Sequence, residues 1–121
     1  MQRLKILAVT ICMLGAAPAW ADREGELIWR DPSCYFFVLK TADGYGLFEF
    51  LGGPSPMVGH KFGGTLEGFG TRRIDNLTEG KPTMVYSEVY ETSAKIMLRK
   101  IPKQCKRKAE FETLIQQATE G

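Results

Sequence analysis

The 121-residue chain has one histidine, His60, and three cysteines, no two of them spaced as C-x-x-C. A lone imidazole cannot form the multi-histidine ligand sets of catalytic metals, and no Asp, Glu or Cys stands at metal-ligand spacing beside it. Nucleophilic catalysis is equally short of parts. Ser55 and Ser87 occupy ordinary turn and strand contexts, and neither is framed by a nucleophile-elbow motif. His60 is therefore expected as a surface turn residue, and no metal or cofactor is expected. The longest uncharged apolar run, Ile6 to Ala17, is well short of the ~20 residues that span a bilayer. Internal repeats and low-complexity tracts are absent too.

Glycine is plentiful, and the stretch "FLGGPSPMVGHKFGGTLEGFG" (residues 50–70) holds seven of them. A phosphate-cradling loop needs G-x-x-x-x-G-K-[ST] between a strand and a helix. Here Gly53 lies six positions before Gly59, and His60 follows Gly59. A dinucleotide fingerprint is met by Gly68 and Gly70 but fails at Arg73. The glycines are expected instead to let strands bend, bulge and approach closely.

The N-terminus reads as an export signal. Met1-Gln2-Arg3-Leu4-Lys5 is a basic start, Ile6 to Ala17 is apolar, and Ala19-Trp20-Ala21 offers a small-residue cleavage site before Asp22. Residues 1–21 are expected to be removed, and 22–121 to form a single small domain that is periplasmic or secreted, in the manner of a bacterial export. Cys12 leaves with the leader. Cys34 and Cys105 remain, and two cysteines in an exported chain are expected to form one disulfide.

The clearest secondary-structure signal is "CYFFVLKTADGYGLFEFL". Two β-rich runs flank Asp43-Gly44, a two-residue hairpin turn by composition. That turn would place Leu39 opposite Phe48 and Phe37 opposite Phe50. These four form one apolar face, and Val38, Lys40, Leu47 and Glu49 form a mixed, partly wet one. Residues 25–30 supply a first strand, the run from His60 to Ile74 a glycine-broken one, and 83–91 ("TMVYSEVYE") a last one whose core face is left open between Val85/Ser87/Val89 and Met84/Tyr86/Tyr90. Then the period changes. Ala94, Met97, Leu98 and Ile101 mark a helix, with Thr92 or Ser93 as N-cap and Pro102 as stop, and Phe111, Leu114, Ile115 and Ala118 mark a second over 109–119. The expected fold is mainly β: a small five-stranded antiparallel barrel of OB or SH3-like type followed by one or two C-terminal helices. A sandwich or a helix-covered open sheet are the alternatives.

After loss of the leader the chain has no net charge, but the charge is segregated. Residues 22–94 carry a net −4, and residues 95–108 carry +7 without a single acid. That block could grip lipid headgroups, a polyanionic glycan or an acidic partner, or be a solvated helix face favoured near helix C-termini. Lys103, Lys106, Arg107 and Lys108 are the binding candidates, the last three held near the second strand if Cys105 is bridged to Cys34. Tyr35, Tyr45, Tyr86 and Tyr90 are the tyrosines expected to form an exposed stacking surface. Glu49, Glu67 and Glu88 are the strand carboxylates that a glycan hydrolase would need. The expectation drawn from all this is a non-enzymatic binding or accessory module of the envelope that engages a protein partner. The alternative is an OB-like binder of a glycan or other anionic ligand through residues 95–108. No nucleic-acid partner and no transmembrane span after cleavage are expected.

Overall fold

A computed structural model describes residues 23–120; the expected leader, residues 1–21, lies outside the described residues. Six strands, β1 (Arg23–Asp31), β2 (Phe36–Lys40), β3 (Tyr45–Gly52), β4 (Lys61–Gly64), β5 (Gly70–Asn76) and β6 (Lys81–Glu91), are followed by helices α1 (Ala94–Lys100) and α2 (Lys108–Glu120). The strands close into an antiparallel barrel in the order β1-β2-β3-β6-β5-β4. The sixth strand comes from the run expected as one strand from His60 to Ile74. Gly64 and Gly70 adopt φ of 126° and 106°, a left-handed region that L side chains rarely enter. They let the chain turn out through residues 65–69 and return as β5, while Leu66 inside that loop is buried in the barrel.

The hairpin keeps the expected faces but not the expected register. Phe37 pairs with Phe48 and Lys40 with Tyr45, two residues away from the Leu39–Phe48 pairing. A type I′ turn needs positive φ at both central residues, and neither Asp43 nor Gly44 has it. Thr41 to Gly44 form a longer loop, closed by the Thr41 N–H donating to the Gly44 carbonyl. Gly44 is needed there for close approach, since a Cβ would sit 2.9 Å from the Tyr90 ring. An even shift leaves every side chain on its original face, so Phe37, Leu39 and Phe48 still point inward.

There are two cores. The barrel interior is filled by Leu27, Phe37, Leu39, Phe48, Phe62, Leu66, Ile74 and Val85. Val85 with Thr83 and Ser87, all buried, settles the inner face of β6. The second core lies outside the barrel, where Trp29, Val38 and Leu47 meet Met97 and Ile101 at α1, Cys105, and Phe111 and Ile115 of α2. The mixed hairpin face is therefore not wet at this point: Val38 and Leu47 are sealed by the helices. A bulge in β1 between Leu27 and Trp29 makes this possible. By strict alternation the two would share a face; the extra residue sends Leu27 inward and Trp29 out to the helices. Ser93 caps α1 by accepting from the Ile96 N–H at 3.3 Å. Trp29 meets Phe111 edge-on at 5.9 Å, which docks α2. No helix among the described residues is long and apolar enough to cross a membrane.

Candidate functional site

The basic segment is fixed to the barrel through its backbone. Cys34 and Cys105 form the disulfide. Beside it, buried Asp31 accepts from the Ser33 N–H and hydroxyl and, at 2.6 Å, from the Arg107 N–H. The Trp29 indole donates to the Arg107 carbonyl at 2.8 Å. Residue 107 is thus held from both sides of its peptide while its guanidinium stays outside. Lys103, Lys106 and Arg107 are exposed. Lys108 is not free like them: its ammonium donates to the Ile101 carbonyl at 2.7 Å, a C-terminal cap for α1. Arg107 lies 3.7 Å from Glu110. Among the described residues, Lys95, Arg99, Lys100, Lys103 and Lys106 have no carboxylate within ion-pair distance.

Burial alone would raise the Asp31 pKa, but the bonds from Ser33 and from the Arg107 backbone outweigh it and hold the carboxyl below its ordinary value. A depressed native pKa stabilises the fold above the unfolded-state value, and the gain is lost as pH falls through the native one. Asp31→Asn is expected to lower stability at pH 7 by about 1–3 kcal/mol, the cost of weakening charge-assisted buried bonds. The difference from the parent should shrink below about pH 4, the unfolded-state range of Asp. Urea titrations of both proteins from pH 7 to pH 2.5 check this; a pH-independent difference would show that the charge of Asp31 contributes nothing.

The four tyrosines do not form one platform. Tyr45 is half-buried against the outer core, with Lys40 over its ring at 5.1 Å. Tyr90 is tied into a polar cluster at one barrel end. Its hydroxyl donates to Asp43, which also accepts from Thr41 and pairs with Arg23 at 2.7 Å, and Arg23 also pairs with Glu67. Burial and the bond to Asp43 raise the Tyr90 pKa, and the bonds from Tyr90 and Arg23 lower that of Asp43. Tyr35 and Tyr86 are different. Tyr35 is 61% exposed at a φ of 63°, a strained backbone state for an aromatic residue. Its carbonyl accepts from the Phe50 N–H at 2.7 Å, beside Leu51. Across β3, Gly52 pairs with Met84 and Glu49 with Tyr86. The outer wall of β3 and β6 thus gathers Leu51, Met84 and Tyr86, all exposed, while Tyr35 stands in the turn before β2, beside Phe37 and Phe50 at one barrel end.

The strand carboxylates are scattered. Glu67 lies in the 65–69 loop, not on a strand, and pairs with Arg23. Glu49 and Glu88 are neighbours on the outer wall, where burial and the Glu49 charge raise the Glu88 pKa. His60 is not the exposed turn residue expected. Its side chain is only 14% exposed, its Nδ1 lies 3.1 Å from the Asn76 amide, and its Nε2 lies 3.6 Å from Glu79. The ring sits at the corner where the loop enters β4, 6.5 Å from the Phe62 ring. Asp31, Cys34 and Cys105 offer ligand atoms within 4.8 Å of one another, but both sulfurs are spent on the disulfide.

Asp31 and Leu51 are functional candidates that sequence reasoning did not single out. Asp31-Pro32-Ser33 carries a legible turn signal, yet nothing local links it to residue 107. Compared with protein-family models, with curated proteins and with solved structures, the chain matches none.

Proposed function

We propose that this chain is a non-enzymatic binding module, exported to the periplasm or beyond, that recognises a protein partner through the outer wall of β3 and β6. The observation that carries this reading is the exposed set Leu51, Met84 and Tyr86 on adjacent strands of the sheet. Aromatic residues and Met are enriched at the centres of protein interfaces, and a contiguous apolar patch on a small soluble domain marks a contact surface. Glu49 and Glu88 beside it favour a partner with basic residues at the rim. The disulfide suits an oxidising compartment. The barrel interior is packed with side chains, so a ligand has to be met on the outside.

Site-specific photocrosslinking in intact cells tests the reading. A photoreactive residue replacing Tyr86 is expected to give one defined adduct, and one replacing Lys81 on the same strand a much weaker one. Leu51→Asp/Met84→Asp should abolish the Tyr86 adduct while the barrel still folds. Equal, diffuse labelling at both positions would sink the proposal.

A second reading is favoured by the cations of residues 95–107, five of them unpaired among the described residues: a grip on an anionic glycan or other polyanionic envelope component. Removing three exposed charges, as Lys103→Ala/Lys106→Ala/Arg107→Ala, is expected to shift elution from a heparin column to distinctly lower salt, because counterion release scales with the phosphates or sulfates neutralised. Lys108→Ala should leave elution almost unchanged and lower thermal stability instead, since Lys108 is spent on the Ile101 carbonyl.

A further inference from the structure

Helix α2 is seated by Phe111 and Ile115 but leaves open clefts on its flanks. One, of about 550 Å³, separates α1 from α2 between Leu98, Lys95 and Arg99 on one side and Glu112 and Gln116 on the other. A second, of about 390 Å³, runs between α2 and the barrel past Ile28, Lys40, Tyr45, Leu114 and Ala118. Ala94 and Ile115 belong to the walls of both, so the two adjoin between the start of α1 and the middle of α2. Their volumes fall in the range of small-molecule sites.

The chemistry of the walls is two-sided. The floor is aliphatic: Ala94, Leu98 and Ile115, continuing to Ala118 and the Tyr45 ring. The rim is cationic. Lys95 and Arg99 stand one helical turn apart and share a face, and among the described residues neither has an acidic partner. Lys40 edges the far end, and among the described residues Glu112 is the one carboxylate lining either cleft. An occupant has to match both the aliphatic floor and the cationic rim. It must be apolar along its length and negative at one end.

We infer that the paired clefts bind a long-chain fatty acid, with its carboxylate between Lys95 and Arg99 and its hydrocarbon tail laid over Leu98, Ala94 and Ile115 toward Tyr45. The site is separate from the β3–β6 wall and so independent of the first reading; it shares Lys95 and Arg99 with the basic segment but not Lys103, Lys106 and Arg107, whose replacement should leave it intact. Held this way, the tail covers the exposed flanks of Leu98 and Leu114 beside buried Ile115, and the head neutralises two unpaired cations.

Calorimetry on the purified protein tests it, with laurate and myristate below their micelle-forming concentrations and with dodecanol and hexanoate as comparators. Laurate is expected to bind saturably at one site and about tenfold more tightly than dodecanol, which lacks the charge. Hexanoate should bind far more weakly, because each methylene that enters the cleft raises affinity roughly threefold. Lys95→Gln/Arg99→Gln should weaken laurate about tenfold without changing the melting temperature. Ala118→Trp, at an exposed helix position, should fill the second cleft and erase the gain of myristate over laurate. It also keeps the test decisive should the double variant fold poorly. The inference is overturned by any of three results: no saturable laurate binding, equal affinity for dodecanol, or unaltered laurate affinity in the Gln pair. Adhesion to phosphatidylglycerol vesicles without laurate binding would likewise overturn it and assign the cations to a lipid surface.

Discussion

Opening the Cys34–Cys105 bridge, by reduction or as Cys34→Ser/Cys105→Ser, is expected to lower the unfolding free energy by about 4 kcal/mol. The bridge spans a sequence separation of 71, so the chain it closes is most of the folded domain. The larger the closed loop, the more conformational freedom is withheld from the unfolded chain. Native geometry changes little on this view, because the Asp31–Arg107 and Trp29–Arg107 bonds hold the same spot without the sulfurs. Losses in the native state concentrate instead in the weakest element. Helix α2 is docked by a few side chains and flanked by clefts, which places it at the low end of local stability. Urea unfolding with and without a phosphine reductant reads the first effect. Hydrogen exchange reads the second: amides of α2 should lose protection well before those of β3 and β6. An unmoved urea midpoint after verified reduction would refute both.

Phe48→Ala is expected to cost about 3–5 kcal/mol, the range for truncating a fully enclosed aromatic ring. Phe48 is 0% exposed and stacks on Phe37 with ring centroids 5.6 Å apart, and Phe37 in turn lies 5.8 Å from Phe62. The three rings form a row inside the barrel with Phe37 in the middle, and removing Phe48 from its end leaves a void that closed strands cannot collapse around. The same ring explains a glycine. A Cβ on Gly46 would stand 2.7 Å from the Phe48 ring, closer than such carbons approach. Gly46→Ala should therefore destabilise the parent, and should cost much less in a Phe48→Leu background, where the obstructing ring edge is gone. Thermal melts of the four proteins give the coupling. Additive effects would show that Gly46 is there for backbone freedom alone.

Much of the architecture could be read from residue order. The switch from period two to period 3.6 after residue 91 separates barrel from helices, and Ser93 and Pro102 bracket α1. The faces of the hairpin also survive, because alternation is a local property of extended chain. Its register does not. The displaced turn holds Asp43 against Thr41 within the loop and against Arg23 of β1 and Tyr90 of β6, two partners far away in the chain. The strand count went the same way. Gly63, Gly64, Gly68 and Gly70 all permit a turn, and only closure of β4 onto β1 and of β5 onto β6 selects which of them make one.

The candidate sites divide likewise. The basic run 95–108 and the cysteine pair are visible as composition, whereas the capture of Lys108 by a carbonyl seven residues earlier is not. Tyr35 and Tyr86 look no different in sequence from Tyr45 and Tyr90. Which pair faces solvent depends on where the helices land on the sheet.

By itself the sequence determined the class of the fold, the disulfide partners, the two helices and the segregation of charge. Each of these follows from local periodicity, composition or simple elimination. Tertiary structure alone decided which strand neighbours which, that the hairpin's outer face becomes a second core, and that apolar residues from β3 and β6 share one wall. These outcomes rest on contacts between residues far apart in the chain. Many pairings satisfy the same alternation, and the one adopted is the one that lets a six-stranded ring close while Trp29 swings outward over a bulge to meet Phe111.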